Sequence, residues 1–237
     1  MSLYLTLELC SLAVPLILSF DKKVAFYKYW KALFPALLLT GIIFIAADIV
    51  FTRYGIWGFN PRYHSGLLIE GIPLEEWLFF LIIPYASIFI HYVIISYFPN
   101  ACLSKKTTRI ISWIFIAILS VIIIIFHDRA YTAFYSAFMA GLLIISLFVR
   151  GEMLNKFYIT FLVILVPFFI VNGILTGSFI QEEAVWYNVS EITGFRIFTV
   201  PVEDIMYGFS LIYLNLLLMD QFKNIPGNKT DIQNEYN

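Results

Sequence analysis

Seven apolar runs, near 3–20, 32–51, 74–97, 110–126, 131–149, 157–175 and 201–219, alternate with short polar connections along the chain. Each approaches the roughly 20 helical residues needed to cross a hydrocarbon core about 30 Å thick. Barrel strands would read instead as alternating segments of about ten residues. The pattern therefore predicts an all-α, polytopic transmembrane helical bundle of about seven spans. Composition agrees: apolar residues make up 61% of 237 positions and charged residues 13%, with a mean hydropathy of +0.85. That leaves too little polar surface to coat a water-soluble globule.

A net charge of −1 singles out no partner, and nucleic acid is not among those expected. The placement of the basic residues says more, because Lys and Arg mark the cytoplasmic side. One set of alternate connections holds Lys22, Lys23, Lys28, Lys31, Lys105, Lys106, Arg109, Arg150, Lys156, Lys223 and Lys229; the other holds Arg53, Arg62, Arg129 and Arg196. With an odd number of spans, this split puts the amino terminus outside a cell membrane and the polar tail, 221–237, in the cytoplasm, where its composition suggests disorder. The first run has no basic region before it and carries Glu8 inside, so it is expected to stay as a span and not to be cleaved as a signal peptide. Cys10 and Cys102 supply neither a disulfide framework nor a CxxC motif.

Two segments align without a gap: Asn60–Glu76, NPRYHSGLLIEGIPLEE, and Asn188–Asp204, NVSEITGFRIFTVPVED. Matched pairs include Asn60 with Asn188, Ser65 with Thr193, Gly66 with Gly194, Pro73 with Pro201, Glu75 with Glu203 and Glu76 with Asp204. Upstream, Asp48 and Thr52 echo Asn172 and Thr176, and Trp57 falls near the place of Trp186. The copies begin four spans apart, so the duplication is parallel. It divides the chain into a first repeat (1–100, spans 1–3), a joining span (101–130), a second repeat (131–220, spans 5–7) and the tail. Shared ancestry and loop geometry alone would also give such a pattern.

The chemistry of what is shared argues for use, since a duplicated acidic pair at the mouth of a membrane helix costs stability otherwise. Pro73 and Pro201 suit the first turn of spans 3 and 7. The helix dipole there favours one acid but explains two adjacent ones poorly. Neighbours on a helix point about 100° apart, so within Glu75–Glu76 and Glu203–Asp204 one acid can face a cavity while the other anchors a donor. Some of the four outer arginines are expected to pair with acids nearby. Asp48 and Glu8 are secondary acid candidates. Trp57, Phe59, Tyr63, Trp77, Phe79, Phe80, Trp186, Tyr187, Phe195, Phe198 and Tyr207 crowd the same region; an interfacial belt accounts for such rings without any catalytic role. Phe79 and Tyr207, however, lie one helical turn beyond Glu75 and Glu203, where a π face can stabilise a developing cation.

Acids and aromatic faces in an apolar cavity equip a protein to protonate an alkene and guide a carbocation; a proton path or an ion site would use similar parts. No GxGxxG occurs for a nucleotide and no DDxxD for a magnesium-bound diphosphate. The last span lacks the lysine a retinal opsin needs. His64, His91 and His127 are scattered without HExxH, and no metal is expected. An intramembrane protease of the EExxxR kind is disfavoured because Phe80 occupies the arginine position.

Phe51-Thr52-Arg53, Gly55-Ile56-Trp57-Gly58-Phe59-Asn60-Pro61-Arg62-Tyr63 and Pro73-Leu74-Glu75-Glu76-Trp77-Leu78-Phe79-Phe80, with Ser19–Lys31 and the second Pro201-Val202-Glu203-Asp204, resemble the membrane-embedded lycopene cyclase family. In that family the two homologous halves are separate subunits in some members and one fused chain in others. The resemblance reaches to about residue 220 and implies acid–base roles for Glu75, Glu76, Glu203 and Asp204 in the paired P-x-E-[ED]. It implies a linear carotene, lycopene or a relative, as substrate within membrane lipid, cyclised to β-ionone ends without net redox change and without a cofactor. Trp57, Asn60, Arg62, Tyr63, Trp77, Phe79, Phe80, Trp186, Asn188, Arg196 and Tyr207 are the expected substrate contacts. The second half departs where Pro61, Arg62 and Tyr63 become Val189, Ser190 and Glu191, so one asymmetric cavity between the halves is expected. Formation of ε or γ rings, hydration of the same cation, a proton-coupled carrier and a carotenoid-binding subunit are the alternatives, and a homo-oligomer is compatible with all of them.

Overall fold

The computed structural model describes residues 2–149 and 151–224; Arg150, Lys229 and the tail beyond Asn224, used above for orientation and disorder, lie outside the described residues. Seven α-helices make up the described chain: α1 Leu3–Leu18, α2 Trp30–Arg53, α3 Leu74–Tyr97, α4 Lys105–Ile125, α5 Ala130–Val149, α6 Gly151–Leu175 and α7 Glu203–Lys223. All but α1 are long and apolar enough to cross a membrane, and the chain is a multi-pass membrane protein. The first helix, with 16 residues, extends only about 24 Å at 1.5 Å per residue.

Polar capping fixes where several helices begin. The Ser2 hydroxyl accepts from the backbone of Leu5 at 3.2 Å, and that of Ser104 accepts from Thr107 at 3.1 Å, each satisfying a donor left free in a first turn. Two helices begin several residues before their apolar runs: α4 at Lys105, not 110, and α6 at Gly151, not 157. The added residues include Lys105, Lys106, Glu152 and Lys156, long side chains whose charged ends reach water while the helix continues into lipid. A 3-10 turn at Phe26–Tyr29 leads directly into α2.

The connections before α3 and α7 fold alike. Each ends in a two-residue antiparallel pair: β2 Leu68–Ile69 with β3 Ile72–Pro73, and β5 Arg196–Ile197 with β6 Val200–Pro201. Registers match position for position, Leu68 facing Pro73 as Arg196 faces Pro201. Both prolines thus sit just ahead of their helices, not inside the first turn. The two connections also join each other, as β1 Trp57–Phe59 pairs antiparallel with β4 Val185–Tyr187 about Gly58 and Trp186. Flanking bonds repeat the relation: Asn60 N–H donates to Ala184 O and Asn188 N–H to Ile56 O, both at 2.9 Å. Gly58 permits the crossing, because a Cβ there would lie 2.5 Å from Cζ2 of Trp186. Trp57 and Trp186 are therefore not equivalent; Trp57 is buried and Trp186 exposed.

Helix packing repeats in outline: α1 packs on α3 as α5 packs on α7. The outline breaks at α2 and α6. Helix α2 packs closely on both α3 and α7, whereas α6 leans on α3 and touches α7 lightly.

Candidate active site

The four repeated carboxylates are buried, and the two members of each pair face different partners. The first member anchors the connection. Glu75 accepts the Ser2 hydroxyl at 2.7 Å, the Ser65 backbone N–H at 2.6 Å and the Ser65 hydroxyl at 3.2 Å. Glu203 accepts the Thr132 hydroxyl at 2.7 Å and the Thr193 backbone N–H at 2.5 Å. In both halves the carboxylate ties its preceding loop to the helix that opens the repeat.

The second member turns inward onto tyrosines. Glu76 accepts the Tyr4 hydroxyl. Asp204 accepts Tyr131 on Oδ1 at 2.9 Å, and on Oδ2 Tyr187 at 2.9 Å and the Asn172 amide at 3.1 Å. Tyr187 lies in β4, outside the spans; its burial and the adjacent Asp204 charge hold the phenol well above its usual pKa, so it stays a donor. Glu76 and Asp204 are close enough to act on one another electrostatically. Three rings connect their surroundings, Tyr131 to Tyr135 and Tyr135 to Tyr207 at 5.0 Å each.

The halves differ around these inner acids. Glu8 on α1 and Asp48 on α2 both lie within electrostatic reach of Glu76. Both are buried, and none of their carboxyl oxygens has a hydrogen-bond partner among the described residues. In the second half Asn172 stands at the place of Asp48 and bonds Asp204 directly. One half thus holds three enclosed carboxyls with a single tyrosine donor, the other one inner carboxylate with three donors.

An apolar cavity of about 290 Å³ lies between α1, α3, α6 and α7, from Phe79, Tyr207 and Asn172 down to Pro15 and Ile90. Phe79 and Tyr207 are 6.5 Å apart between ring centroids, each three residues past an inner acid on its helix. Phe80 is buried against Phe44 at 6.0 Å. Trp77 is half-buried, and its indole N–H, like that of Trp57, has no partner among the described residues.

Other expected contacts lie on the outer connections. Asn60 and Asn188 close turns, accepting from Arg62 N–H and Ser190 N–H at 3.1 Å each. Arg62 is exposed over the Tyr63 ring at 5.9 Å, and the Tyr63 hydroxyl accepts the Glu182 N–H at 3.3 Å. Arg196 donates to Thr199 O at 2.6 Å and lies 3.5 Å from Glu183. Arg53 pairs with Glu70 at 2.6 Å, and Arg129 caps the Ile192 carbonyl. The arginines thus serve loop acids and carbonyls; none makes an ion pair with the four repeated carboxylates. Among the described residues no group of three or more His, Cys, Asp or Glu is arranged to hold a metal ion.

Sequence reading passed over Ser2, Tyr4, Tyr131, Thr132 and Tyr135. A signal was present: extending the repeat to the opening spans places Tyr4 opposite Tyr131 and Glu8 opposite Tyr135.

No curated protein and no solved structure matches the chain. The family model described as lycopene cyclase matches residues 1–94 and again 128–222. Those two stretches carry the matching hairpins, both acidic pairs and the tyrosines that bond the inner acids. With both halves matched, the chain belongs to the lycopene cyclase family.

Proposed function

We propose that this carotenoid cyclase is a lycopene β-cyclase that works by proton transfer alone, with the amino terminus outside and the acidic end of the bundle at the outer face. The observation that carries the reading is the unequal pair of inner acids, Glu76 among unpartnered carboxyls and Asp204 among three donors, one of which, Asn172, also lines an apolar cavity. Acid–base catalysis needs a donor and an acceptor whose surroundings push them apart.

The first-half cluster of Glu8, Asp48 and Glu76 supplies the proton. It adds to the terminal double bond of the polyene at the carbon distal to the two methyls, leaving a tertiary cation on the carbon that bears them. The nearby double bond attacks that cation, closes a six-membered ring and moves the charge to a ring carbon. Asp204 accepts the adjacent ring proton, and the electron pair left behind forms the ring double bond. One proton enters and one leaves. The faces of Phe79 and Tyr207 stabilise the cations in passage, and the buried surroundings keep water from capturing them. Glu75 and Glu203 hold the connections on which these geometries depend.

Expression in a lycopene-accumulating bacterium followed by pigment chromatography tests the reading. Appearance of β-ringed carotene supports it. An ε- or γ-ringed or hydrated product would move the assignment to those reactions, and unchanged lycopene from well-expressed protein would remove the activity.

A further inference from the structure

The repeat reaches past the acids to the turns that follow α2 and α6. Continuing the match of Asp48 with Asn172 and Thr52 with Thr176 by three residues sets Gly55 against Phe179, and the match of Glu76 with Asp204 sets Glu70 against Phe198. All four residues have left-handed backbone, with φ of 66° and 65° in the first pair and 55° and 56° in the second. The turns share a shape and differ in side chains. In the first half a charge pair ties the turn after α2 to the hairpin tip, Arg53 meeting Glu70 at 2.6 Å. In the second half hydroxyls do so, that of Thr199 lying 2.9 Å from Thr176 and 2.8 Å from Ser178. Next to these bonded residues stand two phenylalanines, Phe198 86% and Phe179 100% exposed.

Left-handed backbone suits glycine and is costly under a bulky side chain. Neither ring adds to the core, so the cost is not recovered inside the protein. The surface leading to them is a lipid surface. On the membrane-spanning α6, Val163, Val166 and Ile170 are exposed along one stripe, and the helix runs on to the turn that holds Phe179. Both hairpins also expose apolar side chains at matched places, Leu67 with Phe195 and Ile69 with Ile197. Only the tips diverge: an ion pair gains from water, whereas exposed rings gain from the boundary between headgroups and acyl chains.

We propose that Phe179 and Phe198 form a lipid-insertion site. The two rings enter the leaflet at this end of the bundle, and the Arg53–Glu70 tip of the first half stays in water. The bilayer itself is the partner. The hairpin that carries Phe198 runs directly into α7, so the anchor also holds the acidic end of that helix at the lipid surface.

The test uses the full chain with Cys10→Ser and Cys102→Ser, one of Phe179→Cys, Phe198→Cys or Glu70→Cys, a nitroxide on the new thiol, and phosphatidylcholine vesicles. Collisions with oxygen, which concentrates in hydrocarbon, are compared with collisions with a water-soluble nickel chelate. The oxygen-to-nickel ratio at 179 and at 198 should exceed that at 70 by at least about threefold, as for a group inside the headgroup boundary. With the label at 179, Phe198→Asp should lower the ratio towards that at 70 and Phe198→Leu should keep it, which separates loss of insertion from a rearranged turn. Ratios at 179 and 198 no higher than at 70 would put both rings in water and overturn the proposal. A label at 179 that stays equally deep in Phe198→Asp would overturn the joint anchor. Spin–spin broadening between chains that persists on dilution with lipid would place a second copy over the rings and overturn it too. None of these readouts needs turnover, so the proposal fails or stands apart from the cyclase reading.

Discussion

Replacing Asp204 by asparagine exchanges one carboxylate oxygen for an amide at the point where three donors converge. Tyr131 reaches Oδ1 at 2.9 Å, and Tyr187 and Asn172 reach Oδ2 at 2.9 and 3.1 Å. The new carbonyl can keep Tyr187 and Asn172 as donors, while the Tyr131 hydroxyl can turn to accept from the new amide. One charge-assisted bond is lost, which costs on the order of 1–3 kcal/mol. Most of a stability of roughly 5–15 kcal/mol survives, so the variant should reach the membrane folded. Its chemistry should fare worse. Losing the base lowers turnover about 10²–10⁴-fold, some 3–5 kcal/mol on the barrier. Initial rates of lycopene conversion in vesicles, beside melting in detergent, read the two effects apart. In the exchanged pair Asn172→Asp with Asp204→Asn, a carboxylate and an amide again face each other. Stability should recover, while turnover stays low because the base has moved to α6. Wild-type turnover by folded Asp204→Asn would refute the assignment.

Asp48→Asn gives the first half the amide that the second half already has and removes one of three clustered carboxyls; turnover should fall about a hundredfold with melting unchanged or raised, and unchanged turnover would take Asp48 out of the proton path. Glu75→Gln and Glu203→Gln keep the oxygen that accepts the Ser65 and Thr193 N–H groups, so each should lower turnover less than about tenfold, within the loss of one charge-assisted bond; a loss as deep as that of Asp204→Asn would place the outer acids in the chemistry. Single cysteines beside Lys22, Lys105 and Lys223 should resist an impermeant thiol reagent on intact cells, and those beside Arg62, Arg129 and Arg196 should react; the reverse pattern would invert the orientation.

The acids were legible because a proline-led pair occurs twice, and because charge at the mouth of an apolar run is costly enough to stand out. Their division of labour was not. Whether Glu75 or Glu76 faces inward depends on contacts with Ser2 and Tyr4, 73 and 72 residues away, which only helix packing brings close. Tyr4 and Tyr131 escaped notice for the same reason. The helix starts at Lys105 and Gly151 escaped a hydropathy reading because snorkelling side chains look like loop. Pairing of β1 with β4 escaped it because three-residue strands 128 residues apart leave no local signal. Arginines near acids in sequence suggested ion pairs. Arg53 and Arg196 make them with the loop acids Glu70 and Glu183.

The most direct test of proton-transfer cyclisation at the inner acids is the isotope content of the ring formed in heavy water. Purified protein in lipid, given lycopene and no added cofactor, should form β-rings carrying one solvent deuterium at the ring carbon next to the gem-dimethyl carbon, and Asp204→Asn should slow that incorporation together with product. Rings formed without solvent deuterium under rapid proton exchange, or formed only when a reduced flavin is supplied, would contradict the account.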